Sequence, residues 1–120
     1  IGSVSFDLVP YYMSSCDTFI LSSLDEGFGR VLIEAMAMKK LVISTKVGGT
    51  KDIIEDGETG FFMEKANADS FVKIIENVLN LHEIQRSKII EKAYKNVISK
   101  YEFNSSMKEF IQLYDSVILK

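Results

Sequence analysis

The stretch Ser22–Ala37, SSLDEGFGRVLIEAMA, places a Gly-Phe-Gly turn between an apolar run and a helical pattern, with Glu26 and Glu34 eight positions apart around it. Upstream, Thr18–Leu21 reads as a buried strand. Downstream, Arg30–Met38 reads as a helix whose Val31, Leu32, Ala35, Met36 and Met38 can face a sheet. The unit is strand, glycine-rich loop, helix. The first N–H groups of a helix lack intrahelical partners and sit at the positive end of its dipole, so a diphosphate placed there meets donors already aimed at it. Gly27 and Gly29 let that backbone come close, although both also suit a tight turn. Glu34 lies about one turn into the helix, roughly 6–7 Å along its axis, where a carboxylate can accept from both hydroxyls of a ribose. Glu26, in the loop, would face the other end of the ligand. Together these features make the stretch a candidate nucleotide-sugar site.

Working outward, Ser5–Ser15 predicts a short helix with Pro10 near its first turn and Phe6, Val9 and Met13 buried. A strand over about Asp17–Leu21 leads into the motif, and the motif helix ends at Lys39-Lys40, cations suited to a helix C-terminus. Leu41–Thr45 is a continuous apolar, β-rich run of the kind found in parallel sheets covered on both faces. Gly48-Gly49 then turns the chain into a short helix over Lys51–Ile54. The pair either serves loop geometry alone or lies on the sheet edge where open α/β folds bind ligands. Gly57 and Gly60 mark turns before a third strand, Gly60–Met63, and Glu64–Asn67 is a polar connection.

From Ala68 onward the period is helical. Asp69–Leu79 carries Phe71, Ile74, Ile75, Val78 and Leu79, and Glu83–Lys100 carries Ile89, Ile90, Ala93, Val97 and Ile98. Asn104–Leu119 repeats the spacing with Met107, Phe110, Ile111, Tyr114, Val117 and Ile118. The expected fold class is α/β, a parallel sheet with right-handed crossovers followed by C-terminal helices, in one domain over residues 1–120.

Glu26-Gly27-Phe28-Gly29, the seven residues separating the glutamates, and the helix ending Glu34-Ala35-Met36-Ala37 resemble the Glu-x7-Glu motif of retaining GT-B glycosyltransferases, of the group 1 or family 4-like kind. The resemblance runs on through Val42–Thr45, Val47–Ile54, Asp56–Phe61 and the helices after Ala68, and upstream through Tyr12–Ser22. It implies a partial Rossmann-like C-terminal domain that binds the donor, a nucleoside-diphosphate sugar, for transfer with retention to a carbohydrate, lipid-linked or other acceptor. It further implies that Glu26, as the catalytic-site carboxylate, and the amides of Gly27, Phe28 and Gly29 meet the transferred sugar. The helix start near Arg30 and Val31 would stabilise the diphosphate, and Glu34 would hold the ribose. No nucleophilic role follows for Glu26, and Arg30 suits a solvated helix surface as well as a phosphate contact.

Two departures from the family pattern stand out. Lys51 and Asp52 occupy positions where the family usually has proline and glutamate. The chain also begins at Ile1, in the middle of the expected domain, so the upstream Arg and Lys of the family and its N-terminal acceptor domain are expected partners outside these residues. The fragment alone is expected to be inactive and prone to self-association. No cofactor and no metal are expected, since no Asp-x-Asp pair is present. A non-catalytic nucleotide-binding or assembly module and a nucleotide-sugar epimerase of the same architecture are the alternatives.

Composition narrows the remaining classes. A chain of 120 residues, 47% apolar and 26% charged, can bury about two-thirds of its unfolded surface and is not of disordered type. A net charge of −3 argues against nucleic acid as the main partner. No apolar run reaches the ~18–20 residues of a membrane span, and no signal peptide is visible. A single cysteine, Cys16, excludes an intrachain disulfide. A cytoplasmic location fits, with the parent protein peripheral at the inner membrane face. Cys16 and Met13 read as packing residues, His82 as exposed and inert, Asp25 as a cap of the motif helix or exposed, and Lys88, Lys92 and Lys95 as a solvated face.

Overall fold

The computed structural model describes residues 1–101 and 105–119, the side chains of 105–107 excepted. In chain order the elements are α1 (Val9–Ser14), β1 (Thr18–Leu21), α2 (Arg30–Ala37), β2 (Leu41–Thr45), α3 (Thr50–Ile53), β3 (Phe61–Met63), α4 (Ala68–Leu79), α5 (Glu83–Lys100) and α6 (Ser105–Ile118). The strands form one parallel sheet in the order β1-β2-β3, with Thr18 opposite Leu41 and Ile43 opposite Phe61. This is the expected α/β architecture.

The pleat of β2 sorts its side chains between two cores. Val42 points to one face, where Leu32, Ala35 and Met36 of α2, Ala93 and Val97 of α5 and Phe110 of α6 cover it. Leu41 and Ile43 point to the other and pack with Met63 and with Val78, Ile74 and Ile75 of α4. Every residue of this central strand is buried. β1 corrects the expectation of a buried strand: it is only partly covered and Ile20 is exposed, because it has a sheet neighbour on one side alone.

The first helix is also shorter than expected. A 3₁₀ turn at Phe6–Leu8 precedes α1, which starts where Pro10 can occupy its first turn. Pro10 and Met13 are buried, Val9 is half-buried, and Phe6 is 47% exposed with its ring 5.4 Å from that of Phe110. Phe71, Leu79, Ile98 and Ile118 are likewise exposed, since each lies at the margin of its helix's apolar stripe. The expected start at Asn104 and the Met107 side chain lie outside the described residues.

Several short contacts set the helices on the sheet. Arg86 of α5 donates to the carbonyl of Asp17 at 3.0 Å and to Thr18 Oγ1 at 2.7 Å, tying α5 to the start of β1. His82 is exposed yet structural, because it is the N-cap of α5 in a capping box with Gln85. Asn67 caps α4 by accepting from Ser70 N–H at 3.0 Å. At the end of α2, Lys39 turns into the left-handed region (φ 55°) and places its ammonium 3.4 Å from Glu91. Lys92 reaches Glu58 at 2.9 Å and Glu55 at 3.2 Å, while Lys88 and Lys95 stay exposed.

Candidate functional site

The loop from Ser22 to Gly29 leaves the carboxyl end of β1 and runs into α2, and the segment after β2 holds it from beneath. Thr45, the last residue of β2, donates its hydroxyl to the Ser23 carbonyl at 2.6 Å. The Gly49 N–H lies 2.9 Å from the Gly27 carbonyl oxygen and 3.3 Å from that of Glu26. The two carbonyls press so closely that a Cβ on Gly48 would overlap the Glu26 carbonyl oxygen, and one on Gly49 would lie 2.5 Å from that of Gly27. Gly48 also has φ +48°, which a side chain disfavours. The Gly48-Gly49 pair is thus the bed of the loop that carries Glu26. Thr50 fixes this bed in turn: its buried hydroxyl lies 2.6 Å from the Val47 carbonyl and 3.0 Å from that of Thr45, and accepts from Val47 N–H at 3.1 Å.

Gly29 is the N-cap of α2, with φ 77° and ψ 34°. It is buried against Ile53 of α3, whose Cδ1 would stand 3.1 Å from a Cβ placed on Gly29. Of the two readings of Asp25, the structure shows the exposed one: the cap residue is Gly29, which has no side chain, and Asp25 is exposed in the loop. The amides of Arg30 and Val31 therefore open the helix beside the loop. The next donor, Leu32 N–H, is already taken by the Gly29 carbonyl at 3.0 Å.

The carboxylates differ in setting. Glu26 is half-buried and accepts from Ser23 Oγ at 3.2 Å through Oε2. Glu34, in the second turn of α2, is 13% exposed at its side chain and meets Arg30 Nε at 3.2 Å through Oε1. Burial pushes the Glu34 carboxyl above its ordinary 4.5, and the Arg30 guanidinium opposes that rise without cancelling it. Arg30, open to two readings from the sequence, is a half-exposed surface residue and the partner of Glu34. A carboxylate whose hold on its proton is strengthened by burial, beside an open helix start, is a feature of ligand sites.

Phe28 is exposed, and its ring meets Tyr101 edge-to-face with centroids 5.9 Å apart and an interplanar angle of 77°. The Tyr101 phenol is raised by partial desolvation and by the Asp52 carboxylate, so α3 and the end of α5 flank the same loop. Among the described residues no three His, Cys, Asp or Glu side chains converge to hold a metal ion. Glu26, Gly27, Phe28, Gly29, Arg30, Val31 and Glu34 accordingly lie along one loop and the helix it opens. Sequence reasoning missed Ser23, Thr45, Thr50 and Tyr101. A hydroxyl at a strand end and an aromatic ring distant in the chain leave no local pattern to mark them.

The family model for glycosyl transferases group 1 matches residues 1–96. The chain belongs to this family. It is 32% identical over 112 residues to the capsular polysaccharide biosynthesis glycosyltransferase CapM of Staphylococcus aureus, covering 93% of this chain and 29% of CapM. The crystal structure of the C-terminal domain of a group 1 glycosyl transferase, LpcC of Francisella tularensis, superposes with a TM-score of 0.76 at 30% identity, covering 87% of this chain and 53% of that one. A structure of Anabaena HepE in complex with UDP-glucose shares the fold, with a TM-score of 0.71 at 23% identity over 90% of this chain and 28% of HepE. The group 1 chain spans about a fifth to three-tenths of the length of the curated relatives it matches. Its sheet and helices are those of a glycosyltransferase C-terminal domain.

Proposed function

We propose that this chain is the donor-binding part of a retaining glycosyltransferase that moves a sugar from a nucleoside-diphosphate sugar to a saccharide or lipid-linked acceptor. The observation that carries the reading is the Glu26–Gly29 loop, bedded on Gly48-Gly49 and delivered to the open start of α2, with Glu34 half-buried one turn further on. Glu34 accepts from the ribose hydroxyls while Arg30 occupies one of its oxygens. The amides of Arg30 and Val31 meet the diphosphate, and Glu26 with the amides of Gly27, Phe28 and Gly29 meets the transferred sugar. As the glycosidic bond breaks, negative charge builds on the leaving diphosphate. Donors already aimed there stabilise the transition state more than the ground state.

CapM acts in capsular polysaccharide biosynthesis and HepE binds UDP-glucose, which supports a sugar-nucleotide donor and a growing saccharide as acceptor. Transfer is expected to persist in a chelator, since the helix start supplies the stabilisation that a divalent ion would otherwise give. We place the parent protein in the cytoplasm. Among the described residues no helix is long and apolar enough to cross a membrane.

The test is product analysis on the full-length protein with a panel of UDP-, GDP-, ADP- and dTDP-sugars and saccharide acceptors, the new linkage being assigned by NMR. One donor giving a product with the donor's own anomeric configuration is the expected result. An inverted linkage, an epimerised nucleotide sugar without transfer, or nucleotide binding without turnover would each overturn the reading.

A further inference from the structure

Gly27–Gly29 is two glycines around one aromatic residue, and the proposed chemistry needs its amides held in place. On the inner side Gly49 N–H holds the turn through the Gly27 carbonyl at 2.9 Å, and the Thr45 hydroxyl holds the start of the loop through the Ser23 carbonyl at 2.6 Å. On the outer side the stretch has one side chain, Phe28, which is 59% exposed and so is not fixed by burial. What its ring meets is Tyr101, in an edge-to-face contact of the kind aromatic pairs prefer. Tyr101 is the C-cap of α5, and Ala93 and Val97 of that helix are locked into the core beside α2. Through this ring the end of α5 reaches the Gly27–Gly29 turn.

We propose that Tyr101 is a positioning residue for the donor loop, fixing Phe28 and with it the amides that meet the transferred sugar. The inference rests on the sugar-contact role given to Gly27–Gly29 above. The diphosphate and ribose contacts at Arg30, Val31 and Glu34 lie inside α2 and do not depend on this ring. Loss of Tyr101 should therefore separate turnover from nucleotide affinity, which a general loss of packing would not do.

The experiment uses the full-length protein and the panel donor it turns over, with Tyr101→Ala, Tyr101→Phe, Phe28→Ala and the Ala double variant. Tyr101→Ala is expected to lower kcat about three- to tenfold, the range of one aromatic pair, with the Kd for the nucleoside diphosphate unchanged. Tyr101→Phe is expected to keep kcat, and the double variant to be no slower than Phe28→Ala. Wild-type kcat in Tyr101→Ala, an equal loss in Tyr101→Phe, or a parallel loss of nucleoside-diphosphate affinity would overturn the inference. Should Tyr101→Ala fail to fold, Phe28→Ala must show the same split, and its absence overturns the inference equally. If the unsubstituted protein binds no panel member, the donor-site reading itself fails. If it binds and transfers while the Tyr101 and Phe28 variants behave as wild type, only the positioning role fails.

Discussion

At the residue scale, Glu34 combines two opposed requirements. Its folded carboxyl holds a proton more tightly than the unfolded one, so the folded state binds more protons above pH 4.5 and stability falls as pH rises through that range. Ionisation, which the proposed ribose contact uses, thus works against folding. Glu34→Gln is expected to leave the thermal midpoint at pH 7 equal to or above that of the unsubstituted protein, with the gap closing below pH 4.5. A variant clearly less stable at pH 7 would make Glu34 chiefly a structural partner of Arg30. Glu26 is expected to behave differently, because its proposed contact is with the sugar: Glu26→Gln should reduce transfer more than affinity for the free nucleoside diphosphate. Steady-state rates and calorimetric Kd values check this, and equal weakening of sugar nucleotide and nucleoside diphosphate would contradict it. That both glutamates and the glycines between them share one loop and the helix it opens was legible, since loop and helix start are contiguous in sequence. Tyr101 was not, because a contact across the fold is set by how α5 packs rather than by any local pattern.

At the element scale, the segment after β2 matters to the site more than its own sequence suggests. Gly48→Ala should cost about 1–3 kcal/mol from its positive φ alone, and it should also displace Glu26, whose carbonyl occupies the space a Cβ needs. Denaturant unfolding and transfer assays on the full-length protein should therefore show losses in both. Asn67→Ala offers the contrast: removing the cap of α4 should cost about 1 kcal/mol and leave donor affinity intact. Loss of stability with full activity in Gly48→Ala would contradict the bedding role. Helix and strand identities were readable from period, and the cover on both faces of β2 was readable from its continuous apolar, β-rich run. The partial exposure of β1 was not readable, since an edge and a central parallel strand differ in neighbours before they differ in residues. The bedding role of Gly48-Gly49 was half legible: the glycines announced a tight approach, but only the fold shows that what approaches is the Glu26 loop.

At the scale of the whole molecule, a parallel sheet covered on one face by α2, α5 and α6 and on the other by α4 with Ile89 and Ile90 of α5 presents its loop at one end. Efficient transfer needs reacting atoms held within ~3–3.5 Å, and this chain spans only about three-tenths of a relative such as CapM. Residues 1–120 expressed alone are expected to show little or no transfer, and robust turnover would contradict that. The half-covered β1 and the apolar cavity of about 270 Å³ beside it, lined by Val9, Tyr12, Met13, Phe19 and Val31 among others, should favour self-association of the isolated chain. Sedimentation showing a strict monomer at high concentration would count against it. In the proposed function the domain grips a sugar nucleotide through Glu34, in the second turn of α2. Calorimetric titration of the full-length protein and its Glu34→Gln variant, with the donor it uses and the corresponding nucleoside diphosphate, tests it most directly. The expected result is a loss of about 1.5–3 kcal/mol for both ligands with the fold intact, and unchanged affinity for both would contradict it.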